Sequence, residues 1–159
     1  MKGILQKSPI LLVEDNEDDI LITKKAIEKR QIMNNLFVVH DGQEALDFLR
    51  RTGKYENAPR PGFVLLDLNM PKLDGFEVLK EIKRHPELKS IPIIILTTSE
   101  RDEDVSKAYA LGCNSYIVKS VDFSKFINTV IEIRQYWLEL AEIPSTCDSK
   151  PDLWGNLSV

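Results

Sequence analysis

The chain has 159 residues, of which 43% are hydrophobic and 29% charged, and a formal net charge of −4 at pH 7. This composition is typical of a globular domain, and the acidic balance argues against nucleic acid or an anionic membrane as partner, because both are bound through basic surfaces. The apolar runs are too short to cross a bilayer, and the N-terminal residues lack the apolar core of a secretory signal. We therefore expect a cytoplasmic protein, in which Cys113 and Cys147 are reduced.

Five short apolar runs alternate with segments of helical periodicity. Continuous apolar runs of this length indicate strands that are covered on both faces, as in a parallel sheet flanked by helices. We therefore predict an α/β fold, a doubly wound five-stranded parallel sheet in the order 2-1-3-4-5, forming a flavodoxin-like three-layer sandwich. The predicted strands are Pro9–Val13, Leu36–His40, Phe63–Leu66, Pro92–Leu96 and Ser115–Val118.

Polar side chains stand directly after four of these runs. Glu14 and Asp15 follow the first, Asp67 the third, Thr97 the fourth and Lys119 the fifth. Because the carboxyl ends of parallel strands meet at one edge of a sheet, these groups are expected to converge. Two carboxylates 4 Å apart repel by ~4 kcal/mol at an effective dielectric constant of 20, so a cation is required, and Mg²⁺ prefers such oxygen ligands. The set suits acceptance of a phosphoryl group by Asp67.

Each residue alone has a simpler interpretation. A single acid after a strand is more often a helix cap, Lys119 alone could be a surface residue, and Thr97 could simply end a strand. The joint occurrence of all of them, each at the end of an apolar strand, favours a functional site.

The block Leu65–Gly75, with the sequence LLDLNMPKLDG, closely resembles the receiver domain of two-component response regulators. The acidic pair, the threonine and the lysine complete the pattern, and the resemblance extends over residues 8–140. It implies that a sensor histidine kinase phosphorylates Asp67. It also implies that Mg²⁺ binds through Asp15, Asp67 and the backbone carbonyl of Asn69, with Glu14 as the outer acid of the pair.

The same resemblance implies a switch. Thr97 would follow the phosphoryl group inward while Tyr116 changes rotamer. Thr98 is the rival hydroxyl, but Thr97 lies 22 residues before Lys119, the separation found in chemotaxis-type receivers. Receivers usually have proline after this lysine, with a cis peptide bond, whereas here Ser120 follows, so the isomer of this bond is open.

Further details resemble the small response regulators that partner phytochromes. These are Asp18–Asp19, the Pro/Gly-rich loop before Phe63, Lys119–Ser120 and Tyr136–Glu139. Another soluble histidine kinase is an equally open partner, and the loop could be either a partner contact or a tolerated insertion.

Two other function classes were weighed. A hydrolase of the haloacid-dehalogenase type also uses an aspartate at a strand end, but its D-x-D-x-T pattern needs an acid where Asn69 stands. A scaffold that no longer accepts phosphate is disfavoured by the intact site. Residues 141–159, expected to be a flexible tail, are too few for a DNA-binding or catalytic domain. We therefore expect a stand-alone receiver that is not an enzyme and signals to a downstream protein or a histidine phosphotransfer protein.

The last predicted helix, residues 122–140, has an apolar arc that exceeds what one sheet face covers. We therefore predict a symmetric homodimer. The alternative is that residues 145–159 fold back over the helix, with Trp154 as the plug. The predicted interface residues are Phe126, Val130, Ile133 and Trp137, with Ile127, Ile131 and Leu138 in an adjoining row.

Overall fold

The computed structural model describes residues 8–28 and 36–142. Strands and helices alternate along these residues, and a short 3₁₀-helix, Gly53–Tyr55, precedes the third strand. The strands are β1 (Ile10–Val13), β2 (Leu36–Val39), β3 (Phe63–Leu66), β4 (Ile93–Thr97) and β5 (Ser115–Val118). The helices are α1 (Glu17–Glu28), α2 (Gly42–Arg50), α3 (Gly75–Arg84), α4 (Asp102–Ala110) and α5 (Phe123–Gln135), and a π-helical turn, Tyr136–Leu140, continues α5.

The strands form one parallel sheet in the order β2-β1-β3-β4-β5. The fold class and strand order predicted from the sequence are thereby confirmed. Because Val13 pairs with Leu66, the residues that follow β1 and β3 emerge side by side. Thr97 pairs with Val118, which places Lys119 just beyond the end of β4.

Alternate residues of the strands face two separate cores. Leu11, Val13 and Leu66 pack with α2, α3 and α4 on one face, whereas Leu12 and Leu65 pack with α1 and α5 on the other. All residues of β1, β3 and β4 are buried, as their unbroken apolar sequences indicate. No helix in the described part of the chain is long and apolar enough to cross a bilayer.

The predicted dimer interface is wrong in three of its four residues. Three of them are almost fully buried, with exposures of 4%, 1% and 5% for Phe126, Val130 and Ile133. They lie on the inner face of α5 and pack against the sheet and α1. Trp137 is half-buried on the same core. Among the described side chains of this region, the exposed large apolar ones are Val121, Phe123, Tyr136 and Leu140 instead. Dimerisation itself stays a prediction, and the tail with Trp154, its suggested alternative, lies outside the described residues.

The long loop before β3 is anchored to α2 through Tyr55. Its hydroxyl donates a hydrogen bond to Glu44 Oε1 over 2.6 Å, and its ring lies 5.3 Å from that of Phe48. Burial alone would raise the pKa of Glu44, but hydrogen bonds from Tyr55 and the His40 amide, together with Lys54, lower it to about 2. The loop is therefore part of the packed domain.

Two helices begin at a glycine that lies against a neighbouring loop. Asp41 and Asp74 are the N-caps of α2 and α3, and each side chain accepts a hydrogen bond from a backbone amide of its helix. A Cβ atom at Gly75 would lie 2.3 Å from the Asp67 carbonyl oxygen, and one at Gly42 would lie 2.1 Å from the Leu73 carbonyl oxygen. These contacts fix the chain that follows β3.

We predict that Gly75→Ala lowers the free energy of unfolding by about 3 kcal/mol, because the Asp67 and Leu68 backbone atoms that lie against the new methyl group must move. Gly53→Ala is the matched control, since a Cβ there meets nothing within 4 Å and only its φ of +59° opposes it. About 1 kcal/mol is expected for that change. Urea denaturation measures both, and equal losses would contradict the role assigned to Gly75.

Candidate functional site

The acids predicted to converge come together at the carboxyl edge of the sheet. The Glu14 amide donates to the Val39 carbonyl and the Asp67 amide donates to the Val13 carbonyl, both over 3.0 Å, so each acid continues the hydrogen-bonding pattern of the sheet. Glu14 is 3% and Asp67 7% exposed. The parallel register thus places two carboxylates in a buried position next to each other.

The two acids of the pair differ in burial. Glu14 is buried and Asp15 is exposed, whereas their assignment as outer acid and direct metal ligand stays a prediction. The physical reason for the difference in burial is strand alternation, because Glu14 falls on the same face as Leu12, towards α1 and α5. Glu14 Oε1 also accepts a hydrogen bond of 3.0 Å from the Asn16 amide, which closes the turn into α1.

Lys119 supplies the positive charge of the site. Its Nζ atom lies 2.7 Å from Glu14 Oε2, 2.8 Å from Asp19 Oδ2 and 3.8 Å from Asp67 Oδ2, and its side chain is only 5% exposed. Its backbone amide donates to the Thr97 carbonyl over 2.6 Å. One ammonium group is therefore shared among three carboxylates, with two direct hydrogen bonds and one longer contact.

Burial and mutual repulsion shift the ionisation of this cluster. Burial raises the pKa of Glu14 to about 7, with a further rise from the charge of Asp67, although Lys119 acts in the opposite direction. Burial likewise raises the pKa of Asp67, against the effects of Lys119 and of the Asn69 and Leu68 amides. Burial alone would lower the pKa of Lys119, but Asp67, Asp19 and Glu14 raise it above its usual value.

The acids fit a hard divalent cation. One carboxylate oxygen from each of Glu14, Asp15 and Asp67 can be chosen so that all three lie within 4.8 Å of one another. Oxygen donors of this kind suit Mg²⁺ or Mn²⁺. Burial, the main cause of the raised pKa values of Glu14 and Asp67, makes their unneutralised charge costly, and a bound cation would reduce that cost.

Thr97 and Tyr116 lie on the other side of β4 and β5 and are linked through Ser99. Thr97 is fully buried, and its Oγ1 accepts a hydrogen bond of 3.4 Å from the Ser99 amide. The Tyr116 hydroxyl donates to the Ser99 carbonyl over 3.0 Å, while the Ser99 hydroxyl donates to Asp104 of α4 over 2.6 Å. Thr98, the rival hydroxyl, is exposed.

The Lys119–Ser120 peptide bond is trans, as are all peptide bonds of the described residues. The departure from the usual lysine-proline sequence therefore leaves Lys119 inside the site with an ordinary backbone.

Sequence reasoning missed the roles of Ser99 and Asp19. Asp19 was noted only as part of an acidic sequence, yet it contacts Lys119. The available signal was its place in the first turn of a helix that starts beside the acidic pair. Ser99 gave a weaker signal, as a hydroxyl two residues beyond Thr97.

A family model for the response regulator receiver domain matches residues 10–131 of the chain. Response regulator Rcp1 of Synechocystis sp. is 43% identical over 136 residues, which cover 86% of this chain and 92% of that protein. The probable methanogenesis regulatory protein FilR2 of Methanothrix harundinacea is 44% identical over 130 residues, which cover 81% of this chain and 83% of that protein.

Solved structures give the same assignment. The phosphorylated cyanobacterial phytochrome response regulator RcpA has a TM-score of 0.85 and 44% identity, covering 87% of this chain and 99% of its own. The Mn²⁺-bound form of Rcp1 has a TM-score of 0.83 and 43% identity, with the same two coverages of 87% and 99%. With the sheet order, the strand-end acids and Lys119 all in place, the chain belongs to the receiver-domain family of response regulators, the proteins of phosphorelay signalling.

Proposed function

We propose that Asp67 is the residue that accepts the phosphoryl group from a sensor histidine kinase. The position of its carboxylate carries this proposal: it ends β3 beside two further acids, with the Lys119 ammonium 3.8 Å from Oδ2. A carboxylate oxygen of Asp67 would attack the phosphorus of a phosphohistidine. The new O–P bond forms as the N–P bond breaks, and the imidazole leaves with the electron pair.

Mg²⁺ is the proposed cofactor, held by Asp15, Asp67 and the backbone carbonyl of Asn69. When bound, it neutralises charge that develops on the phosphoryl oxygens. Support comes from the three acids that approach one another and from the Mn²⁺-bound structure of the relative Rcp1. Glu14 is assigned a smaller part in metal binding, because its carboxylate already holds Lys119 over 2.7 Å.

A phytochrome-type kinase is the proposed source of the phosphoryl group, since RcpA is a phytochrome response regulator. Thr97 is proposed to move towards the phosphoryl group while Tyr116 changes rotamer. Through their contacts with Ser99, these changes would alter the surface of α4 and β5. The output would be a contact with a downstream protein or a histidine phosphotransfer protein, in the cytoplasm, without nucleic acid or membrane. Residues 8–140 are proposed to act as the receiver unit.

The chain is proposed to act as a phosphoacceptor and not as a phosphomonoesterase. Asn69 provides an amide side chain where the haloacid-dehalogenase pattern needs a carboxylate to act as acid and base. The chemistry of the protein itself would be limited to self-phosphorylation from small donors and loss of the phosphoryl group to water. Turnover of a free phosphomonoester would contradict this proposal.

We predict that Asp67→Asn abolishes phosphoryl acceptance and keeps the fold, because an amide of the same size is not a usable nucleophile. Acetyl phosphate with Mg²⁺ is the donor, and intact-mass spectrometry is the measurement. Wild-type protein should gain one phosphoryl group. The control is Asp18→Asn, which removes an exposed carboxylate near the site and should be phosphorylated normally. Full modification of Asp67→Asn would refute the assignment.

We predict that Asp15→Ala weakens Mg²⁺ binding at least tenfold more than Glu14→Ala does. Asp15 is exposed and assigned to direct ligation, whereas the Glu14 carboxylate is engaged by Lys119. Calorimetric titration with Mg²⁺ measures both affinities. If the two variants lose equal affinity, the division of roles between these acids is wrong.

We predict that the metal-free protein loses about 2 kcal/mol of stability as the pH rises from the unfolded-state pKa of Glu14 to its folded-state pKa of about 7. Over this interval the folded state keeps a proton that the unfolded state releases, so stability falls as pH rises. Mg²⁺ should restore stability above pH 7. Glu14→Gln should flatten the dependence and Glu28→Gln, an exposed control, should not. Urea denaturation at several pH values measures the free energy of unfolding of the wild type and of both variants. If Glu14→Gln shows the same pH dependence as the wild type, the prediction is wrong.

A further inference from the structure

Asp19 contacts the site from α1, a helix that holds none of the residues to which a function is assigned above. It lies in the first turn of α1, where its amide donates to Asn16 Oδ1 over 3.0 Å. Its Oδ2 atom is 2.8 Å from Lys119 Nζ, and its side chain is 24% exposed. The carboxylate therefore faces the buried ammonium group, although the preceding acids of that helix turn, Glu17 and Asp18, are exposed.

The topology explains why α1 reaches Lys119. Side chains alternate along a strand, so Glu14, Asp67 and Lys119 lie on the sheet face that α1 and α5 cover. The core residues two positions earlier in the three strands are Leu12, Leu65 and Ile117. The N-terminus of α1 stands over the same side of the sheet edge. Asp19 is thus the part of α1 that meets the ammonium group, whereas on the opposite side Thr97 and Tyr116 contact Ser99, which donates to α4.

The distances indicate a competition. Lys119 has three N–H donors, and two of them are within 2.8 Å of Glu14 and Asp19 oxygens. Asp67 Oδ2 is 3.8 Å away, beyond hydrogen-bonding distance. The carboxylate of Asp19 therefore holds the ammonium group on the α1 side of the cluster, away from the acid that takes the phosphoryl group.

We propose that Asp19 is a positioning residue, which competes with the phosphoryl group on Asp67 for the ammonium group of Lys119. This inference rests on the proposed phosphorylation of Asp67. A phosphoryl group carries more negative charge than a carboxylate and draws Lys119 towards β3. The contact with Asp19 then weakens, and the first turn of α1 loses its ion pair with Lys119, while Ile20 stays in the core. Phosphorylation is in this way transmitted to the α1 face as well as through Thr97.

Reciprocity makes the competition measurable. If phosphoryl binding weakens the Asp19–Lys119 ion pair, the ion pair must weaken phosphoryl binding by the same factor. Asp19 is partly exposed, so its ion pair has the strength of a modest surface pair, which corresponds to about fivefold in an equilibrium constant. Removal of the Asp19 charge should therefore favour the phosphoryl-bound state by this factor.

The first measurement is the affinity for beryllofluoride, a phosphoryl mimic, in the presence of Mg²⁺. We expect Asp19→Asn to bind it about fivefold more tightly than wild type. Asp18→Asn is the matched control, because it removes an exposed carboxylate of the same helix turn that does not contact Lys119. Equal affinity of Asp19→Asn and wild type, or weaker binding by Asp19→Asn, would overturn the competition.

The second measurement separates this inference from the proposed function. In the metal-free wild type, the Lys119 ammonium group should give a resolved NMR signal of restricted motion, which is lost or broadened in Asp19→Asn but kept in Asp18→Asn. Amide exchange in the first turn of α1 should rise when beryllofluoride binds to wild type, with no further rise in Asp19→Asn. If wild type binds no beryllofluoride, the proposed function fails. If it binds but α1 exchange is unchanged, only the role of Asp19 fails.

Discussion

The carboxyl edge of the sheet depends on one buried ammonium group. Lys119 faces three carboxylates, and burial raises the pKa values of Glu14 and Asp67 although the charge of Lys119 lowers them. Burying such charges has a free-energy cost that only direct pairing offsets. A bound metal ion would offset part of this negative charge, whereas the proposed phosphoryl group would add to it and compete with the carboxylates for Lys119.

Much of this arrangement is predictable from sequence. Four-residue apolar strands must be buried on both faces, so the sheet is parallel and its strand-end residues share one edge. Those two steps bring Glu14, Asp67 and Lys119 together without reference to a family. The burial of Glu14 is also predictable from the sequence. If the alternation of β1 is extended by one residue, Glu14 falls on the same sheet face as Leu12.

Other features depend on packing between elements distant in sequence. The apolar periodicity of α5 shows a broad face, but whether Val130 and Ile133 are covered depends on how closely α1 lies beside α5. Here α1 and the sheet together bury them, and the exposed apolar residues are Tyr136 and Leu140 at the end of the helix. The contact between Asp19 and Lys119 joins residues 100 positions apart and has no local sequence pattern.

The site has two sides, and each is attached to a different helix. On one side Lys119 is paired with Asp19 of α1, and on the other Ser99 joins Tyr116 to Asp104 of α4. Asp67 lies between them at the end of a central strand, so the proposed phosphoryl group would lie next to both. With such an arrangement the proposed phosphorylation would bias two surfaces, because each side would gain or lose a contact to the phosphoryl oxygens. The strand order alone secures this, since β3 is flanked by β1 on one side and by β4 on the other.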